Sequence, residues 1–229
     1  MHRTVAMAEI RAAQLQENLV ALHVLGDEVA RRVLADVPGE VLARIREATR
    51  VAWLPVVEVN EPLLRAIRVH SGDEGLRDFA RAAALRSATS RLFGPIVEPL
   101  VRMFGLKPGV LLRVPPLAYR ATFRGMGQLA VASSAPHLVR FELRLLPPQI
   151  EREQFLLVLA GAIESALAHA QVIGRVEVLA GAGDADACFE ARWPVERPVT
   201  ARPFTAAPDS ELAARAAMEH GGKSTEVRR

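Results

Sequence analysis

The stretch DADACFEARW, residues 184 to 193, carries the chain's only cysteine, Cys188, and raises the question of thiol chemistry. A nucleophilic cysteine works as the thiolate and is activated by cations or by a helix N-terminus. The local company of Cys188 is Asp184, Asp186 and Glu190, and negative charge disfavours the thiolate. If ACFEARW is a strand, Cys188, Glu190 and Arg192 share one face while Phe189, Ala191 and Trp193 share the other. The second set is the better core face. Cys188 then belongs to a structural seam or lines a space on the opposite side, and Trp193→Ala is expected to destabilise more than Cys188→Ser.

The six histidines are His2, His23, His70, His137, His169 and His220, and none of them forms an HxxxH or HExxH pair. Zinc is therefore not expected, because a zinc site needs three or four convergent ligands. Haem needs a single axial ligand, so the candidates for cofactor binding are His70 at a helix end, His169 on an apolar helix, and Cys188. Gly125 to Ala130, GMGQLA, loosely matches the dinucleotide fingerprint, but that motif requires a strand before it and a helix after it. Here it precedes a period-two alternation, so the glycines are expected at a strand entry where the backbone turns sharply. No GxSxG occurs, and no catalytic residue or metal ligand is expected.

The elements that must position these residues follow from periodicity. Val5, Ala8, Ile10, Leu15, Leu19, Leu22 and Leu25 recur near a 3.6-residue period, which predicts a helical arm broken at Gly26 and resumed in DEVARRVLADV. Pro38 opens PGEVLARIREATR, and VAWLPVVEV reads as a stiff connector with Trp53 anchored in it. NEPLLRAIRVH is a further helix. SGDEGLRDFARAAALRSATSRLF follows it, with Ser71 or Asp73 as N-cap and Leu76, Phe79, Ala80 and Ala83 as one stripe. GPIVEPLVRMFGLKPGVLL continues the helical pattern, with Gly105 as a stop. The period then changes: GQLAVAS and LVRFELRLL alternate around a hairpin at SAPH, Gln154 to Val172 is an apolar helix, and RVEVLA and DACFEARW alternate around GAGD. The order is strand, strand, helix, strand, strand.

At 229 residues and 50% hydrophobic content the chain can build a sizeable core. The 29 Lys plus Arg stand against 26 Asp plus Glu and are spread along the chain, which argues against nucleic acid as a partner. One cysteine excludes an intrachain disulfide. Arg3, Glu9, Arg11 and Glu17 interrupt the N-terminal apolar pattern, so no signal peptide is expected and the cytoplasm is the expected compartment. No apolar run reaches the about 18 residues that a membrane span needs.

Several segments together resemble a known group. VAWLPVVEV, LLRAI, GDEGLRDFAR, LFGPIVEPLVRMFGLKPGVLL, FRGMGQLAV, ELRLLPP and GAIESAL through CFEARW resemble a heavily paralogous myxobacterial family built on a domain of unknown function, over roughly residues 50 to 193. The closing pattern is a Gly-containing helix, a strand, a turn, and a strand that carries Cys and ends in an aromatic. It is also distantly similar to the four-vinyl reductase and haem nitric-oxide-binding group of α+β sensor domains. That resemblance implies a helical subdomain on a ββαββ layer, in a superfamily whose better-known members hold small hydrophobic ligands or haem. The haem-binding branch carries a proximal histidine and a Tyr-x-Ser-x-Arg motif. This chain has one tyrosine, Tyr119, within AYRATF, and no such motif. The four-vinyl reductase branch carries a cysteine cluster, where this chain has Cys188 alone.

The expectation is therefore a single α+β domain over 1–193, with a helical part at 1–120 and a sheet-containing part at 121–193, followed by a flexible tail at 194–229. It has an antiparallel ββαββ layer and no cofactor. The expected role is a non-enzymatic, sensory or regulatory domain with an apolar pocket for a small molecule between helices and sheet. The alternatives are a module binding a protein partner or a second copy of the chain and, below it, a haem-based gas sensor.

Overall fold

Ile10 departs from the expected helical arm. In the computed structural model, which describes residues 7–88, Pro99, Met103 and 106–194, Glu9–Arg11 is a strand (β1) with only its middle residue buried. β1 pairs antiparallel with β2 (Trp53–Pro55) and with β3 (Phe123–Arg124), giving a three-stranded sheet ordered β2-β1-β3. The expected connector VAWLPVVEV is thus half strand, and Pro55 is tolerated because β2 is an edge. Trp53 is held there by guanidinium groups, with Arg11 4.2 Å and Arg124 4.0 Å from its ring centroid. One strand therefore lies inside a segment expected to be helical and one inside the expected connector, since three-residue strands are defined by distant partners and leave no period of their own.

The helices run as α1 (Ala12–Ala21), a 3₁₀ turn (Leu22–Leu25), α2 (Asp27–Asp36), α3 (Gly39–Glu47), a π turn (Val56–Asn60) and the long α4 (Glu61–Ala88). α4 is broken at Gly72, where two separate helices were expected. Ser71 does not cap the second half; its hydroxyl donates to the Ile67 carbonyl, and Asp73 pairs with Arg68. The expected stripe Leu76, Phe79, Ala80 and Ala83 is buried throughout. The helix expected from Gly94 lies, apart from Pro99 and Met103, outside the described residues until the short α5 (Pro108–Leu111), which α6 (Pro115–Thr122) follows.

Between β3 and β4 the two glycines of GMGQLA adopt φ of 62° and 81° at Gly125 and Gly127, a turn that L side chains resist. A Cβ at Gly127 would also collide with the Arg144 carbonyl oxygen. The motif is a strand entry, and no helix follows it.

The second sheet is antiparallel and ordered β4-β5-β7-β6, from β4 (Gln128–Ala135), β5 (Leu138–Arg144), β6 (Arg175–Ala180) and β7 (Ala187–Arg192), with α7 (Arg152–His169) between β5 and β6 in sequence. The fold is α+β, with the ββαββ layer that the alternation predicts. Val139, Phe141, Leu143, Val176, Phe189 and Ala191 are fully or almost fully buried in the core, and Phe141 sits opposite Phe189. The other face is charged. Glu190, buried in spite of its charge, accepts from Arg140 and Arg192, which hold its carboxyl below the usual carboxylate range. Cys188 lies on this face, between Glu142 and Leu179 on the neighbouring strands.

Trp193 packs against the core on the expected side but is not enclosed by it. It lies beyond the last residue of β7, is half-buried, and tilts against the His137 ring at 5.7 Å between centroids. Phe189 is the more deeply buried of the two anchors. Phe189→Ala should cost about 3 to 5 kcal/mol, the range for deleting a buried aromatic, and Trp193→Ala clearly less. Urea unfolding of the two variants checks the order; a larger loss at Trp193 would place it in the core. Apart from Pro194, the tail expected over 194–229 lies outside the described residues.

Candidate functional site

The apolar positions of α1, α4 and α7 do not close completely against one another. They leave a cavity of about 150 Å³, capped by α5 and α6 and by Ile10 of β1 and Phe123 of β3. No residue of the four-stranded sheet lines it, so the pocket lies among helices and the small sheet rather than between helices and the large sheet. Its walls are aliphatic, from Leu64, Ala80, Leu111 and Ile163, and aromatic. Tyr119, Phe123 and Phe155 form one aromatic group with centroids 5.1 to 6.4 Å apart. The Tyr119 hydroxyl donates to the Met126 carbonyl, and burial pushes its pKa up, so it is a neutral donor already in use.

One end of the cavity is polar. Gln14 Nε2 donates to Asn18 Oδ1 at 2.9 Å, and Ser87 Oγ donates to Gln14 Oε1 at 3.1 Å. Asn60, at the end of the π turn, is a further polar residue of the lining. These amides escape sequence reading for identifiable reasons. Asn60 precedes EPLL, where Asn usually signals an N-cap. Gln14 and Asn18 sit four residues apart on α1; Asn18 is buried like its neighbour Leu15, and a polar letter on an apolar stripe is the only signal.

The three candidate residues are not brought together. His169 is half-buried at the end of α7 and lines the cavity. His70, on α4 just before the break, does not; its Nε2 lies 3.5 Å from Asp36 Oδ2. Cys188 is on β7 and does not line the cavity either. Among the described residues, no group of three or more His, Cys, Asp and Glu could hold a metal ion. No described helix is long and apolar enough to cross a membrane.

Haem is a poor fit to what surrounds this cavity. Among the described lining residues His169 is the one histidine, the Tyr119 hydroxyl is kept neutral and donates to the Met126 carbonyl, and no Arg or Lys is present to meet the propionates. The volume of about 150 Å³ is also below the roughly 300 to 1,000 Å³ of sites for drug-sized ligands. It compares instead with an apolar cavity of about 150 Å³ that holds one benzene.

No protein-family model and no curated protein matches the chain, so the likeness to the myxobacterial family gains no support. Solved structures do match. The Fe(II) unliganded H-NOX protein from K. algicida, as a single-residue mutant, aligns with a TM-score of 0.55 at 11% identity, covering 82% of this chain and 98% of that one. Its unmutated counterpart gives 0.54 at 11% identity, with the same coverage. An oxygen-binding H-NOX domain related to soluble guanylate cyclases gives 0.52 at 12% identity, covering 81% and 96%. At such identities the likeness is one of fold.

Proposed function

We propose that the chain is a cytoplasmic sensory domain which binds a compact, uncharged, mainly apolar molecule inside its helical half and performs no catalysis of its own. The observation that carries this reading is the cavity itself. A well-packed domain leaves few voids larger than a water molecule, and closing one by a small shift of Leu or Phe would gain stability. A cavity of about 150 Å³ walled by aliphatic and aromatic groups offers a ligand dispersion contacts that water cannot replace. The likeness in fold to H-NOX domains supports a sensing role. Occupancy by haem is not part of the proposal, because the described lining residues include no Arg or Lys and one histidine.

Protein taken from its own cells should show, by native mass spectrometry, a mass excess of one small organic molecule. Its absorption spectrum should have no Soret band, even after expression with haem available. A Soret band that disappears in His169→Ala would replace this reading with a haem sensor. An empty protein that also fails to bind any small apolar probe would remove ligand binding altogether.

A further inference from the structure

Asn60 Oδ1 is the feature of the cavity that packing does not explain. Asn60 is 3% exposed, and its side-chain oxygen is buried with no hydrogen-bond partner among the described residues. An unpaired buried carbonyl is costly and rare, so it calls for a partner that the described residues do not supply. The other polar side chains of the lining do not donate to it in this structure. Gln14 is already committed at both ends of its amide, to Asn18 and to Ser87, and the Tyr119 hydroxyl is committed to Met126. No Asp, Glu, Lys or Arg is present among the described lining residues.

Resting on the reading that this cavity binds an apolar molecule, we propose that its ligand carries one hydroxyl or N–H group that donates to Asn60 Oδ1, and that Asn60 is the specificity-determining residue. The ligand class is a small neutral amphiphile with a compact aromatic or aliphatic body and a single donor. Discrimination follows from two opposed effects. A hydroxyl buried against apolar walls alone loses its hydrogen bonds to water, so an all-apolar cavity selects a hydrocarbon over an alcohol of equal size. An acceptor waiting in the cavity reverses the order, because the hydrocarbon leaves Asn60 unpaired while the alcohol satisfies it. A charged head group has no counter-ion there and is excluded.

The test uses phenol and toluene as probes of nearly equal shape, titrated calorimetrically into the full-length protein and into Asn60→Leu. The wild type should bind phenol more tightly than toluene. Asn60→Leu should weaken phenol by about tenfold, the effect of losing one net hydrogen bond, and leave toluene bound at least as well. If the wild type binds toluene as tightly as phenol or better, the Asn60 proposal is overturned and the apolar pocket stands. That comparison needs no variant, so it decides the matter even if Asn60→Leu does not fold. If Asn60→Leu folds and keeps the preference for phenol, the proposal is likewise overturned. If neither probe binds the wild type, the proposal and the ligand-binding reading beneath it both fall.

Discussion

Gly161→Ala is expected to cost about 3 kcal/mol or more, the upper end for forcing a methyl group into a packed core. The same exchange in an exposed helix interior stabilises by about 1 kcal/mol, because alanine is the better helix former. Here the sign reverses. A Cβ on Gly161 would fall onto the Arg77 carbonyl oxygen and lie 3.1 Å from the Ala80 Cβ, and a backbone carbonyl cannot swing aside as a side chain can. α4 and α7 would have to move apart, opening the wall of the cavity as well as the core. Set against a net stability of about 5 to 15 kcal/mol for a typical domain, such a loss brings partial unfolding within reach. Gly39→Ala is the control, since a Cβ there meets nothing within 4 Å. Urea titration followed by circular dichroism measures both. Wild-type stability in Gly161→Ala would mean that the two helices do not approach as closely as the structure places them.

The second large effect is expected at the ion pair beside this crossing. Arg77 on α4 donates to Glu164 on α7 through Nη2 at 2.6 Å and Nε at 3.1 Å, and also to the Val176 carbonyl. Glu164 accepts in turn from the Val176 N–H at 2.9 Å. Both side chains are buried, Arg77 8% and Glu164 5% exposed, so the pair fastens edge strand β6 to the helices that enclose the cavity. Removing one partner leaves an uncompensated buried charge, and Arg77→Met should cost about 3 to 5 kcal/mol. Arg77→Met combined with Glu164→Met should cost clearly less than the sum of the single losses, because the second substitution removes the stranded carboxylate. It should not return to wild-type stability, because the Val176 peptide groups lose their partners. A double-mutant cycle by urea unfolding reads the coupling. Additive losses would show that the pair is not formed.

How much of this was legible depends on the range of the interaction concerned. The stripe from Leu76 to Ala83, the strands of the ββαββ layer and the split of β7 into a Phe189 face and a Cys188 face are all periodic, and periodicity survives in a single sequence. Trp193 follows the same alternation onto the core side, but its depth of burial was not legible. Alternation continues on paper past Arg192, whereas the strand stops there and Pro194 follows. β1 and β2 were missed because three residues are too few to show a period, and their pairing partners lie more than 40 residues away in sequence.

For the site the division is sharper. Sequence by itself determined the α+β class, the ββαββ order and the absence of any cysteine cluster or closely spaced histidine pair, because each is a matter of local pattern or of which residues exist. It also supplied His169 as a residue on an apolar helix, without saying what that helix faces. Only the tertiary structure decided that His169 borders a cavity while His70 and Cys188 do not. It alone decided that Gln14, Asn18 and Ser87 meet in the lining of that cavity, and that Asn60, also in the lining, has a buried oxygen left unpaired. A cavity is a failure of several faces to fill one volume, and an unpaired acceptor is a property of everything within hydrogen-bonding reach. Neither is written in any one segment, because both depend on distances between elements that packing alone sets.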